Sequence, residues 1–307
     1  MQRTANPIRP KALDDLLTSE LIARLDPLDL SSKRVFFGKL KGERRSKKRG
    51  QSVEFADHRQ YVSGDDTRHI DWNLYARLDQ LFLKLFLEEE DLSLHIVIDA
   101  SLSADCGEPN KFLFMQKAAM AMGYVGLVNL NRVTAMAIGD VEGGVLSSIR
   151  DLRGRRRTHD LARWLCSLTP SGTTRFKEAT ERIASARRGK GVMLVFSDFF
   201  FKEGFEDGLR RLVGNGYDVY CIQVLSPQEV DPSLVGDLRL KDVEDGDTAE
   251  VTISAPLLKK YKQTLAAYCA ELGTFCRQRD MQLITIRSDT PVDVLVLDYL
   301  RKKGVVK

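Results

Sequence analysis

Residues 94–103, LHIVIDASLS, and 191–200, GVMLVFSDFF, decide the fold. Each opens as a short apolar run and exits into an acid, Asp99 in the first and Asp198, after Gly191–Ser197, in the second. Short runs of this kind read as strands buried on both faces, as in parallel sheets. Working outward, residues 110–129 predict a helix, 132–139 a second strand, and 143–150 a short third strand opened by Gly143-Gly144. Helices are expected at 158–167, 175–187 and 204–213, a strand at 217–225, a long helix at 256–279, a last strand at 281–286 and a last helix at 291–303. Residues 237–253 alternate polar and apolar around Asp245-Gly246, a hairpin signal. Strands alternating with helices predict an α/β domain, a mostly parallel sheet flanked by helices.

Ahead of this domain the pattern differs. Leu13, Leu16, Leu17, Leu21 and Leu25 recur at helical spacing and predict an amphipathic helix over 11–30. Residues 33–50 are dense in Lys and Arg, with Glu43 the only acid, and read as a strand followed by an exposed basic loop, 39–49. LFLKLFL, 81–87, reads as a strand leading onward. The expected division is 1–90, an N-terminal helix with a β-rich basic appendage, and 91–307, the α/β domain carrying the hairpin.

Composition bounds the function. A chain of 307 residues has room for about two domains. Its 43% hydrophobic and 29% charged residues exclude wholesale disorder. The 47 Lys and Arg against 43 Asp and Glu leave a net charge of +4, too mild to indicate nucleic acid. The five cysteines are odd in number and show no CxxC pair, so reduced thiols in a cytoplasm are expected rather than a disulfide framework or zinc knuckle. The longest uncharged apolar stretch, Ala118–Leu130, falls short of the ~20 residues that span a bilayer. The N-terminus lacks the apolar core of a signal peptide. No GxxxxGK[ST], GxSxG or HExxH is present.

In open α/β sheets the functional crevice lies at the carboxyl ends of the strands. The strand exits here carry Asp99-Ala100-Ser101-Leu102-Ser103 and Ser197-Asp198, and Ser171-Gly172-Thr173-Thr174 lies between them in sequence. All three segments offer oxygen donors and none offers His or Cys, a set that suits a hard dication, Mg²⁺ before Zn²⁺. The plainer alternative is that Asp and Ser at strand ends simply cap the following helices.

These residues resemble a known pattern. DASLS, the SGT segment and SDFF are similar to the metal-ion-dependent adhesion site of von Willebrand factor A domains. The run EFADHRQYVSGDDTRHIDWNLYAR (54–77), followed by a strand and DxSxS, and LRLKDVEDGD with APLLKKYKQTL (238–247 and 255–265), resemble the bacterial domain-of-unknown-function family 58. The resemblance runs from about Leu25 to Leu300. It implies a von Willebrand A-like, Rossmann-like sheet with a β-rich N-terminal addition. It implies Asp99, Ser101, Ser103, Thr173 and Asp198 as metal-site residues, with Thr174 an alternative to Thr173, and Mg²⁺ (or Mn²⁺ or Ca²⁺) as the ion. It also implies a MoxR-type AAA+ ATPase as partner, acting on a client protein. Such loops commonly continue with Met and Gly; here Ala104-Asp105-Cys106 follow, and Asp105 is a third carboxylate able to crowd the site or fill its open position.

Two functions compete. The favoured one is an interaction module, an adaptor or co-chaperone of that ATPase. The rival is a Mg²⁺-dependent phosphoesterase or nuclease using Asp99 and Asp198. No His or Glu stands beside either strand exit to act as general base, which argues against the enzyme. In the GDDTRHIDWN block, Asp65, Asp66, His69 and Asp71, with Glu54, Asp57 and His58, offer a second metal or nuclease centre. Interleaved Arg59, Arg68 and Arg77 favour a salt-bridged network instead, with Trp72 packed against the main domain. The loop 39–49 and the cluster Arg150–Arg157 lack the interleaved aromatics of single-strand binders and are expected to be solvated or to dock on acidic protein. Cys106 is expected to be an inert thiol.

Overall fold

The computed structural model describes residues 9–32, 54–87, 92–186, 191–234, 236–242, 244 and 246–307. The basic loop 39–49 and its preceding strand lie outside the described residues. The chain divides into two units, Met1–Lys33 with Leu92–Lys307, and Arg34–Asp91. The appendage therefore divides differently from the expected 1–90. Leu16, Leu17, Leu25, Leu28 and Leu30 are buried in the same core as the main sheet, and Leu30 bridges Val306. In place of one helix over 11–30 there are two short ones, Leu13–Leu16 (α1) and Ser19–Leu25 (α2). The chain is extended at Leu17, and the Thr18 hydroxyl accepts from the Leu21 amide to start α2 afresh.

The smaller unit pairs Glu54–Gln60 (β1) antiparallel with Phe82–Leu87 (β2) and carries the helix Trp72–Leu78 (α3). The larger unit is built on six strands: Ser93–Asp99 (β3), Arg132–Ile138 (β4), Val145–Leu152 (β5), Gly191–Ser197 (β6), Asp218–Leu225 (β7) and, later in the chain, Gln282–Arg287. Between β7 and that last strand, Gly236–Lys241 (β8) and Thr248–Ile253 (β9) form the expected hairpin, so Gln282–Arg287 is β10. The sheet order is β10-β7-β6-β3-β4-β5, parallel throughout except β4 with β5. The exception has a simple cause. The link from Ile138 to Val145 turns through Gly143 and Gly144, both at positive φ, and is too short for a parallel crossover.

Successive residues of a strand point to opposite faces, and both faces here are apolar. Leu94, Ile96 and Ile98 enter one core, with the helices Lys111–Val128 (α4) and Thr158–Ser167 (α5). Val97, Met193 and Val195 enter the other, with Phe176–Ser185 (α6), Glu206–Gly214 (α7) and the later helix Ala255–Arg277. The short Pro227–Val230 (α8) precedes that helix, which is α9. The expected last helix is a turn, Val292–Val294, running into the π-helical Leu295–Leu300. Among the described residues no helix is long and apolar enough to cross a membrane.

This order makes β3 and β6 neighbours from which the chain departs in opposite directions across the sheet, the topological switch where ligand crevices form.

The β4–β5 turn gives a direct test of the packing. Gly144 lies at φ +67, and a Cβ there would run into the Ala179 amide nitrogen and the Arg175 carbonyl oxygen at the start of α6. Gly144→Ala combines left-handed strain with overpacking and should cost ~2–4 kcal/mol, read as a lower urea midpoint.

Candidate functional site

Asp99 ends β3 and is almost wholly buried. One carboxylate oxygen accepts from the Ser101 amide (3.1 Å) and the Thr174 hydroxyl (2.5 Å), and the other from the Ser197 hydroxyl (2.6 Å). The Ser101 and Ser103 hydroxyl oxygens stand 3.0 Å apart. Two backbone bonds clamp the loops that supply these groups: Ser171 N to Ala100 O at 2.9 Å, and Leu102 N to Gly172 O at 3.0 Å. The segments DASLS and SGTT, far apart in sequence, are thus one surface.

Asp198 leaves the end of β6. One of its oxygens accepts from the Phe200 amide (3.1 Å) and the other from the Lys111 ammonium (2.8 Å). Between them Phe199 takes φ +63, a left-handed conformation rare for a bulky residue, which reverses the chain just past the acid. The Tyr268 hydroxyl on α9 donates to the Phe199 carbonyl and holds that turn.

Asp99, Ser101, Ser103, Thr173 and Asp198 all line one cleft of about 210 Å³. Thr174 lines it too, and its hydroxyl is the one bonded to Asp99. Asp105 does not line it. Its oxygens are held by Arg9 (2.5 Å) and Asn110 (3.0 Å), so it neither crowds the site nor fills it. Two further acids line the cleft, Glu203 and, from the tip of the β8–β9 hairpin, Glu244, together with the cations Arg175 and Lys202.

Electrostatics set this cleft apart. Burial, reinforced by the charge of Asp198, raises the Asp99 carboxyl above its ordinary value, against the hydrogen bonds from Ser197, Thr174 and Ser101. Lys111 is fully buried in the first turn of α4, bonded to Asp198 and to Glu229 at 2.7 Å. Burial alone would lower its pKa, but the charges of Asp198 and Glu229 prevail and hold it above the usual lysine range. Glu229 is itself locked by a reciprocal cap with Ser226 at the start of α8.

The other acidic block proves to be a network. Asp71 caps α3, accepting from the Asn73 and Leu74 amides, and meets His58 at 3.0 Å and Lys84 at 3.3 Å. The His58 hydrogen bond is the main reason its pKa falls to about 2. Asp65 pairs with Arg59 and Asp66 with Arg68, as the interleaved arginines predict. Trp72 is not packed away: it is 61% exposed, with its ring edge-on to Tyr75. Cys106 is buried, its thiol donates to the Leu102 carbonyl, and burial raises its pKa. In the second basic cluster Arg155 pairs with Asp26 and Arg157 with Asp160. Among the described residues no three His, Cys, Asp or Glu side chains gather into a metal-holding group, so any ion in the cleft would rely on hydroxyls beside its carboxylates.

Sequence reading missed Lys111, Glu229 and Glu244, and named Ser197 only as part of its strand exit. A lysine opening a mostly apolar helix, KFLFMQKAAM, was the one local signal for the first.

Two stability effects follow from these charges. Lys111→Met leaves Asp198 and Glu229 buried without their counter-charge and should cost ~3–5 kcal/mol. The urea midpoint at pH 7 tests this. Asp99 behaves in the opposite sense. Its raised pKa means that ionisation costs the folded chain stability as pH rises, so in chelator at pH 7 Asp99→Asn should unfold at a higher urea concentration than the parent.

The chain is 26% identical over 299 residues to "Uncharacterized protein Mb1516" of Mycobacterium bovis, covering 95% of this chain and 93% of that one. Among solved structures it is similar to the conserved hypothetical protein BatB from Bacteroides thetaiotaomicron, with a TM-score of 0.43 at 13% identity, covering 69% of this chain and 98% of that one. It is also similar to a von Willebrand factor type A structure from Catenulispora acidiphila, with a TM-score of 0.34 at 13% identity over 60% of this chain and 43% of that one. The profile of the family described as "Protein of unknown function DUF58" matches residues 57–270, well over half of the 307, and the chain belongs to that family.

Proposed function

We propose that this chain is a metal-dependent protein-interaction module, working in the cytoplasm as an adaptor or co-chaperone of a MoxR-type AAA+ ATPase in the assembly or maturation of a client protein. The observation that carries the metal centre is the presence of two buried carboxylates, Asp99 and Asp198, at the ends of the adjacent strands β3 and β6, with hydroxyls lining the same cleft. The donor chemistry fits a hard dication. An octahedron with bonds of ~2.0–2.1 Å has edges of ~2.9 Å, and the Ser101 and Ser103 oxygens are 3.0 Å apart. Asp99, Ser101, Ser103, Asp198 and a threonine hydroxyl, from Thr173 or Thr174, would hold Mg²⁺, or Mn²⁺ or Ca²⁺, directly or through water. A bound ion supplies a coordination position that accepts a carboxylate from an acidic partner. The ATPase and its client rest on the sequence resemblance.

The ligands come from loops on a sheet already closed by its own two cores, so the ion should add little to folding. Saturation at 100 times its Kd contributes ~2.7 kcal/mol, a rise of only a few degrees in melting temperature for a chain of this size. Asp99→Ala should remain folded by circular dichroism, lose calorimetric Mg²⁺ binding, and lose retention of the cognate ATPase or client. Ser32→Ala is the control. It removes a 3.0 Å bond to Asp218, costs about 1 kcal/mol, and should leave metal binding unchanged. Unchanged Mg²⁺ and partner binding in Asp99→Ala would refute the metal centre; loss of metal with the partner retained would make the ion structural.

A further inference from the structure

The larger unit has a second concave place, towards the end of the sheet away from the cleft. His95 precedes Asp99 on β3 by ~13 Å, at ~3.3 Å per residue. It pairs in register with Thr134 of β4 and Met193 of β6. His95, Thr134, Arg150, Arg182 and Tyr217 line a cavity of about 30 Å³ there, and no acid among the described residues lines it. His95 is only 5% exposed, and its Nε2 has no hydrogen-bond partner among the described residues. The Tyr217 ring packs against the imidazole with centroids 5.0 Å apart, an aromatic contact that leaves Nε2 unpaired. A buried polar atom left unpaired costs ~1–3 kcal/mol, so this one calls for a ligand.

Two cations reach the same cavity from separate elements. Arg150 belongs to β5 and donates to the Ser148 hydroxyl (3.1 Å), and Arg182 belongs to α6. Both are exposed, and neither has a carboxylate partner among the described residues. The Thr134 hydroxyl accepts from the Asp151 amide (3.3 Å), so its own proton remains to be given. Burial lowers the His95 pKa to about 4, with the charge of Asp151 opposing and that of Arg132 assisting. At pH 7 the ring is therefore neutral, and the positive charge of the site is that of its arginines.

Size and donors together select the occupant. The cavity matches the ~30 Å³ share of one water molecule. It admits a single oxygen, and the rest of a ligand stays at the mouth beside the guanidiniums. A carboxylate is planar, and one guanidinium fork satisfies it. A phosphate has oxygens enough for the imidazole and for two guanidiniums. We propose that this cavity is a phosphate-binding site, one phosphate oxygen accepting from the His95 Nε2–H and the others from Arg150 and Arg182. The site is independent of the metal centre.

The test titrates the full chain, labelled with ¹⁵N-histidine, with inorganic phosphate, phosphoserine, acetate and chloride at equal ionic strength. The four histidines give few signals, and His95→Leu assigns the one of interest. Millimolar phosphate should shift the His95 Nε2 resonance and raise the urea midpoint, and acetate and chloride should do neither. Arg150→Gln and Arg182→Gln, at exposed positions, should each weaken phosphate about tenfold. Arg163→Gln, 80% exposed on α5, should match the parent. Without phosphate, His95→Leu should be at least as stable as the parent, because an apolar group replaces an unpaired nitrogen; phosphate should no longer raise its midpoint. A shift with phosphoserine as well as phosphate assigns a phosphate monoester as ligand, and a shift with phosphate alone assigns the free ion; either supports the site. An unmoved His95 resonance, or an equal rise in midpoint with chloride, overturns it and leaves the cavity to a water molecule.

Discussion

Two carboxylates at the carboxyl ends of adjacent parallel strands repel one another, and burial strengthens the repulsion. Much of the local architecture answers that constraint. Around Asp99 the answer is hydrogen bonding from hydroxyls and an amide: Thr174, Ser197 and Ser101, drawn from three segments. Around Asp198 it is a buried ammonium, Lys111, which in turn requires Glu229 and the cap that fixes Glu229. Two acids are thus treated differently, one left with raised proton affinity and the other neutralised by an ion pair. That asymmetry is legible only in three dimensions.

The sheet was readable because its signal is local. A strand buried on both faces is a continuous apolar run, and β3, β6 and β7 lie within a residue or so of where those runs place them. Where the expectation differs, a short-range detail overrode the period. The N-terminal leucines keep helical spacing, yet Thr18 competes for the backbone and splits the helix. The third strand is antiparallel because a glycine turn leaves no room for a crossover. Strand exits at a switch point share a crevice, and the five expected residues line it. What could not be read were contacts spanning 87 and 118 residues, which bring Lys111 to Asp198 and to Glu229. No periodicity reports a partner at that separation.

The smaller unit shows the same logic with the opposite outcome. Its acids outnumber those of the cleft, but Arg59, Arg68, Lys84, His58 and the first turn of α3 satisfy Asp65, Asp66 and Asp71. Acids already supplied with cations gain little from a metal, so density of carboxylates is a poorer guide to a metal centre than the lack of nearby positive charge. By that measure Asp99 ranks above Asp65, Asp66 and Asp71, since its direct donors are neutral hydroxyls and an amide, while Asp198 beside it is paired with Lys111 and Arg175 and Lys202 line the same cleft.

Lys111 also bears on how tightly the proposed ion would be held. A fixed ammonium on one of two carboxylates lowers the negative charge available to a dication, while the remaining hydroxyl donors are neutral. Such a centre favours an ion that binds weakly unless another carboxylate joins it. By linkage, whatever the acid adds to ion affinity the ion returns to acid affinity in equal measure. Under the proposed function, ion and acidic ligand therefore occupy the cleft together or leave it together. In that arrangement the buried lysine makes the ion's retention depend on its carboxylate ligand, the property an interaction module needs if binding is to be reversible.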